Sequence, residues 1–336
     1  PITVVKGEAL LSTPASSPMA AMQGKVAGVN VTNSGTPGEG PKVAIRGKGS
    51  FSNSSPLYVV DGMFYDDINF LNSNDIQDMS VLKDASATAL YGTKAANGVI
   101  VVTTKKGSIG PARFSYNHTS KLTRRPRYSD RSINLMDSRE RVQFGKELSD
   151  LHYQFPSNMP KVGYEGALYR YYSGLTDYAG FKQEVLRYET VNTDWFDILT
   201  RDAYSHSHTL NVSGGSDIVR YYASLGYDRD NGVSNTTYTE RYTVTAKMDV
   251  QMTSKMLMAI KLNGNVQKKN HLVSTLDAMD YAYNTTRALP CFNEDGSLFY
   301  YERYRGGYGG QGNKYLRYNI VNEIDNSSSG YDGKGI

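Results

Sequence analysis

The feature that most constrains this 336-residue chain is strict alternation over long stretches of its second half. From 219 to 228, Val219, Tyr221, Ala223, Leu225 and Tyr227 fall on one face of an extended strand, and Arg220, Tyr222, Ser224 and Asp228 on the other. The pattern recurs twice. Tyr242, Val244, Ala246, Met248 and Val250 oppose Arg241, Thr243, Thr245, Lys247 and Asp249, and Met256, Met258, Ile260, Leu262 and Val266 oppose Lys261, Asn263, Asn265 and Gln267. Strands this long, apolar on one face and polar on the other, fit a transmembrane β-barrel wall with lipid outside and water inside. No run approaches the roughly 18 apolar residues of a membrane-spanning helix, so any crossing falls to strands.

The connections alternate in length. Gly214 to Asp217 and Met252 to Ser254 are tight turns, whereas 122–202 and 268–336 are long and irregular. Outer-membrane barrels keep short turns on the periplasmic side and long loops outside. That rule predicts strands at about 112–121 (outgoing), 203–213 (incoming), 218–228 (outgoing), 239–251 (incoming) and 255–267 (outgoing), with 122–202 and 268–336 as extracellular loops. Within the first loop, helices are expected over Asp137 to Leu151, capped by Asp137 or Ser138, and around Phe181 to Tyr188.

Residues 1–107 read as a separate mixed α/β domain, with 108–336 as the start of the barrel. Short β-type runs closed by glycine alternate with small-residue helical stretches. A strand is expected near Ile2 to Val5, a helical turn at Met19 to Gln23 closed by Gly24, strands at Val29 to Thr32 and Val43 to Gly47, and polar loops at 33–41 and 50–56. Leu57 to Val60 is too uniformly apolar to be half exposed, so it is predicted to be a buried interior strand ending at Asp61-Gly62. Asn74 is predicted to cap a short helix through Met79, and Asp84 a second one over Ala85 to Tyr91 stopped by Gly92. Asn97-Gly98 then turns the chain into a strand from Val99.

Composition excludes more than it selects. A net charge of +4 over this length is too balanced to argue for a nucleic-acid partner. The single cysteine, Cys291, rules out a disulfide within the chain and any multi-cysteine metal cluster. His206 and His208 share a strand face, but with no third ligand in reach by spacing they read as lumen or interface histidines. Asp228 to Gly232 lacks the closing glutamate of a calcium loop. Gly47-Lys-Gly-Ser50 lacks the spaced glycine of a phosphate loop. Asp61, Asp66 and Asp67 have no nucleophile, base or oxyanion donor placed beside them by the sequence, so no enzyme activity is expected and no cofactor or metal is called for. Arg305-Gly-Gly-Tyr308 looks like a single-strand RNA-binding tail, yet barrel-type sequence flanks it and an external loop is the better reading.

Several motifs in fixed order carry a family resemblance: Gln23-Gly-Lys-Val-Ala-Gly-Val-Asn-Val31, Ile45-Arg-Gly47, Pro56-Leu-Tyr-Val-Val-Asp-Gly62, Val81-Leu-Lys-Asp-Ala-Ser-Ala-Thr-Ala-Leu-Tyr-Gly92 and Ala95-Ala-Asn-Gly-Val99. They closely resemble the plug domain of the SusC/RagA family of TonB-dependent outer-membrane transporters. Leu210 to Ser216 looks like that family's second barrel strand and first periplasmic turn. The resemblance implies a plug inside a barrel of about 22 strands in the outer membrane of a Gram-negative bacterium. Only five candidate strands occur here, so the rest of the same barrel chain is an implied partner. It also implies energised uptake of a nutrient, glycan or oligopeptide, with a SusD-type surface lipoprotein as lid. TonB would engage a segment upstream of Pro1, and outer-membrane lipid would surround the wall. A receptor or adhesin that displays loops without transport is the alternative. Because loops on a rigid scaffold carry binding, the candidate ligand residues are Phe51, Asn53, Phe64, Tyr65, Asp66 and Asp67 in the plug loops, and Tyr169, Tyr171 and Tyr172 in the first long loop.

Overall fold

The computed structural model describes residues 3–15, 17–45, 55–83, 91–95, 97–128, 130–156, 159–272, 276–305, 314–327 and 329–335. The predicted helix over Ala85 to Tyr91 lies almost wholly outside them.

The N-terminal half of the fold is built on a five-stranded sheet. Its strands are β1 (Thr3–Lys6), β4 (Leu57–Val60), β5 (Met63–Tyr65), β6 (Ile76–Leu82) and β7 (Val99–Thr104), in the order β1-β6-β7-β4-β5. A separate hairpin joins β2 (Val29–Thr32) to β3 (Lys42–Ile45). β4 runs parallel to β7 and antiparallel to β5, and all four of its residues are buried. Their apolar uniformity has a direct cause, because the sheet is covered on both faces. Leu10, Met22, Ile76, Met79, Val81, Ile100 and Val102 fill one side, under the short helices Gly7–Leu11 and Pro18–Ala21. Leu57, Val59, Ala95 and Val99 fill the other. Each buried Val, Leu, Ile or Met among them contributes roughly 1.5–3 kcal/mol by leaving water. Gly98 sits at φ +93, and a Cβ there would press on the Ile45 side chain at 2.9 Å, so only glycine makes this turn into β7 without strain.

One helix prediction fails. Residues 73–75 form a single 3-10 turn, capped by Asn72 rather than Asn74, with the Asn72 side chain accepting from the Asn74 amide at 2.9 Å. The chain then runs straight into β6, which has β1 on one side and β7 on the other. Ile76 and Met79 are three apart and fit a helical face on paper. Two waiting strand neighbours decide otherwise, as tertiary pairing overrides weak local preference.

The second half is a six-stranded antiparallel sheet of long strands: β8 (Gly110–Thr123), β9 (Ala203–Gly215), β10 (Val219–Asn231), β11 (Tyr238–Thr253) and β12 (Met256–His271), with β15 (Ser329–Gly335) added along β12. β10 and β12 run three and four residues beyond their predicted C-terminal ends, and β11 matches its prediction to within two residues. β15 falls in a tract read as loop: the sequence Ser329-Gly-Tyr-Asp-Gly-Lys-Gly335 shows no apolar alternation and so leaves no periodic signal. Gly107 leads into β8 against the wall, where a Cβ would collide with the Tyr221 backbone.

The two long connections fold together at one end of this sheet. Asp137 caps the helix Ser138–Asp150 through a reciprocal box with Glu140, as expected. Helices Gly163–Tyr172, Tyr178–Thr190 and Trp195–Leu199 follow. Trp195, Phe196 and Leu199 then pack on Ala282, Leu289 and Ile320 from the second connection, and Cys291 lies in the same cluster. A hairpin of β13 (Tyr301–Arg305) and β14 (Lys314–Tyr318) closes the unit. No helix among the described residues is long and apolar enough to cross a membrane.

Candidate functional site

The alternation seen in the sequence sorts the wall into two chemistries. Leu210, Leu225, Val244 and Leu262 stand exposed on the outer face, whereas Thr209, Asn211, Ser224, Thr245 and Lys247 are buried on the inner one. The five-stranded domain lies against that inner face and is fixed to it by polar contacts. Asn72 and Asn74 each donate to Thr209 Oγ1, at 3.0 and 3.1 Å. Asp75 accepts from the Tyr222 hydroxyl at 2.8 Å and from Thr245 Oγ1 at 3.0 Å. Arg241 donates to the Asn69 carbonyl.

The centre of this seam is Asp61, which ends β4 in the left-handed region at φ 48, a conformation aspartate tolerates better than most residues. The turn aims its carboxylate at β7 and the wall together. Oδ1 accepts from the Thr104 amide at 2.9 Å, and Oδ2 lies 3.0 Å from Lys247 Nζ. Lys247 also donates to Thr104 Oγ1 and, at 3.2 Å, to the Lys105 carbonyl. Burial raises the Asp61 carboxyl, but the two hydrogen bonds from Thr104 and the Lys247 ammonium together outweigh it and hold the group below its ordinary value. Asp61 therefore has the structural role the sequence assigned it.

Above this seam the domain and the wall part to leave a chamber of about 540 Å³. Tyr65, Asp66, Asp67 and Phe70 line it from one side, and Thr243, Lys261, Asn263 and Asn265 from the other. Tyr65 and Phe70 pack at 4.9 Å between ring centroids, and Asp67 Oδ1 is held by the Asn69 amide at 3.0 Å. Burial, with the Asp67 charge behind it, pushes the Tyr58 hydroxyl up to about 12. Two exposed carboxylates, an ammonium, carboxamides and two rings make a surface for binding, with no activated nucleophile in it.

The candidate ligand residues do not converge on one place. Tyr65, Asp66 and Asp67 line the chamber. Phe64 is exposed and meets Tyr91 edge-on at 6.2 Å, away from the chamber lining. Phe51 and Asn53 lie outside the described residues. Tyr169, Tyr171 and Tyr172 sit on a helix rather than an irregular loop. Tyr169 borders a different cavity, of about 750 Å³, together with Glu184, Arg187, Phe299 and Tyr300. Tyr171 instead packs on Phe181 at 5.5 Å, and Tyr172 is exposed. The wall's contribution, Thr243, Lys261, Asn263 and Asn265, was not singled out, although the polar alternation of β11 and β12 marks those positions as inward-facing.

His206 and His208 lie on the outer face of β9, and the register sets His118 of β8 beside them, with ring centroids 4.6 Å apart for His118 and His208. Among the described residues, no group of three or more His, Cys, Asp or Glu is arranged to hold a metal. Tyr116 and Ser120 hydrogen-bond these rings instead.

A compact α/β domain pressed against the polar face of a long-stranded antiparallel wall is the architecture of a TonB-dependent receptor. The family model described as TonB-dependent Receptor Plug Domain matches residues 1–99. TonB-dependent receptor P26 of Formosa agariphila is 31% identical over 303 residues, covering 88% of this chain and 28% of that protein. TonB-dependent receptor SusC of Bacteroides thetaiotaomicron is 33% identical over 240 residues, covering 68% of this chain and 20% of SusC. Among solved structures, the RagAB peptide transporter superposes with a TM-score of 0.73 at 27% identity, over 92% of this chain and 35% of the other. The chain belongs to the SusC/RagA family of TonB-dependent transporters. It spans under a third of the length of these curated relatives, which are receptors and transporters rather than enzymes.

Proposed function

We propose that this chain supplies the plug and the first wall of an outer-membrane β-barrel that imports an oligomeric nutrient with energy delivered by TonB. In this reading residues 1–107 are the plug, and 108–336 begin the barrel with extracellular connections at 122–202 and 268–336. A SusD-type lipoprotein closes over the ligand, and TonB acts from the periplasmic side. The observation that carries the reading is the chamber between the apex of the five-stranded domain and the inner wall: a polar space whose floor is a body fastened by hydrogen bonds and ion pairs instead of apolar packing. Such a body stays in place at rest and can be shifted by force. An outer wall of exposed aliphatics supports placement in the outer membrane.

The nutrient we infer is an oligopeptide. Asp66, Asp67 and Lys261 offer partners for both charged ends of a peptide, Asn263 and Asn265 suit its backbone, and Tyr65 and Phe70 suit apolar side chains. The likeness to the RagAB peptide importer points the same way. Accumulation of fluorescent peptide and labelled glycan pools should be compared in cells with and without this gene, and with and without TonB. Peptide accumulation that needs both supports the reading. Binding of either ligand without accumulation would favour a surface receptor, and glycan accumulation would reassign the nutrient.

A further inference from the structure

Two lysines face each other across the wall and share one carboxylate. Lys247 of β11 and Lys261 of β12 are direct cross-strand partners on the inner face, and like charges placed opposite each other repel unless an anion sits between them. Asp61 of the five-stranded domain is that anion, with Oδ2 at 3.0 Å from Lys247 Nζ and 3.8 Å from Lys261 Nζ. The two ammonium groups are held very differently. Lys247 is 5% exposed and also donates to Thr104 Oγ1 and the Lys105 carbonyl. Lys261 is 35% exposed and, among the described residues, has Asp61 as its one ion-pair partner. Asp61 cannot serve both fully, because its oxygens already accept from the Thr104 amide, the Thr104 hydroxyl and Lys247. The cluster holds two cations for one carboxylate, and the surplus lies with Lys261.

That surplus opens on the chamber, which Lys261 and Asp61 both line. Asn263 and Asn265 follow on the same strand face and add carboxamide donors to the same stretch of chamber wall. An ammonium with N–H donors along the same wall is a seat for a carboxylate. The chamber's own free carboxylates do not fill it: among the described residues, neither Asp66 nor Asp67 forms an ion pair with Lys261. An anion arriving from outside therefore meets a cation whose existing contact is long and partly in water.

We propose that Lys261 is the specificity-determining residue of the chamber, seating the C-terminal carboxylate of a peptide and, in doing so, withdrawing from Asp61 and loosening the plug. The inference rests on the reading of the chamber as the peptide site and adds what lets a bound peptide be told from other contents. In the fastened state the ammonium is shared between Asp61 and the ligand, and in the loosened state the ligand has it alone. A ligand shifts such an equilibrium only by its difference in affinity for the two states. Lys247 and Thr104 keep their hold on Asp61, so the plug is loosened rather than freed. A ligand without a carboxylate fills the same space and leaves the plug fastened.

The test uses the full-length protein in mild detergent and a random octapeptide library without Asp or Glu, made once with free C-termini and once as C-terminal amides. Mass spectrometry reads retention, and amide hydrogen exchange in β7 reads the plug. The free acids should be retained about tenfold better than the amides and, at saturation, speed exchange in β7 about tenfold, within the usual range of coupling between sites. The amides at saturation should leave exchange unchanged. Lys261→Met should abolish both differences, and Lys261→Arg should keep them, since a guanidinium also seats a carboxylate. Acids and amides retained equally, or acids bound without faster exchange, would overturn the inference and leave the chamber as a peptide site. Retention of neither library would overturn the peptide reading itself, and the inference with it.

Discussion

Breaking the ion pair between Asp61 and Lys247 should loosen the plug without unfolding the wall. The pair is 3.0 Å apart, and the two side chains are only 10% and 5% exposed. Removing one partner of a buried pair strands the other charge and costs about 3–5 kcal/mol. Here the lower end applies, because Lys261 Nζ stands 3.8 Å from the same carboxylate and is 35% exposed. In Lys247→Met that second ammonium takes over part of the neutralisation. About 3 kcal/mol corresponds to a more than hundredfold rise in the opening equilibrium of the plug. Amide hydrogen exchange reads this directly: peptides covering β6 and β7 should exchange about a hundredfold faster, while peptides from β10 and β11 change little. The double variant Asp61→Asn with Lys247→Met should recover most of the protection, since the one charge left beside the site, Lys261, is 35% exposed and reaches water. Acid should act in the same direction. The Asp61 carboxyl is lowered in the fold, so its contribution is complete above the ordinary carboxylate value and is lost as pH falls through the lowered one. Protection of the β7 amides, taken relative to their intrinsic exchange at each pH, should therefore be constant from neutral pH to about pH 5 and fall only in stronger acid. Unchanged exchange in Lys247→Met, or a double variant as loose as the sum of the singles, would refute the latch.

Asp66→Asn with Asp67→Asn should weaken peptide binding about tenfold, as expected when charge-assisted contacts become neutral ones, and leave the amount of protein in the membrane unchanged; titration of purified protein measures it. Cys291 is buried, and burial pushes its thiol up to about 11. Maleimide should therefore label it in denatured but not native protein, and rapid native labelling would contradict the packing of the two long connections. Leu199→Ala, in the cluster that joins those connections, should cost about 2–5 kcal/mol locally, seen as protease cleavage within 123–202 at lower protease concentration.

What could be read from the sequence follows from which physical signals are local. The wall was legible because each of its strands spends one face in each of two solvents, and a period of two over a dozen residues has no other explanation. β4 was legible because a run apolar on both faces must be covered on both. β6 was not: Ile76, Met79 and Val81 satisfy a helix and a strand almost equally, and the choice is made by β1 and β7, which are distant in sequence. β15 was invisible for a related reason, since its Ser and Gly residues pair through backbone that carries no sequence signal. The chamber shows the same divide. Tyr65, Asp66 and Asp67 announced themselves as polar and aromatic residues in a loop. Lys261, Asn263 and Asn265 could be placed on the inner face, but not opposite that particular loop until the plug was docked. The tyrosines of Gly163–Tyr172 misled because helix formation splits neighbouring rings between faces, so Tyr169 reaches a cavity that Tyr171 and Tyr172 do not.

The central claim is that the plug must move relative to the wall for transport. Asn74 and Thr209 meet across the seam at 3.1 Å, and cysteines at both positions should form a disulfide that ties the plug to β9. Accumulation of labelled peptide by cells carrying this pair should be lost under oxidising conditions and restored by reductant. Undiminished accumulation with the cross-link fully formed would contradict the account.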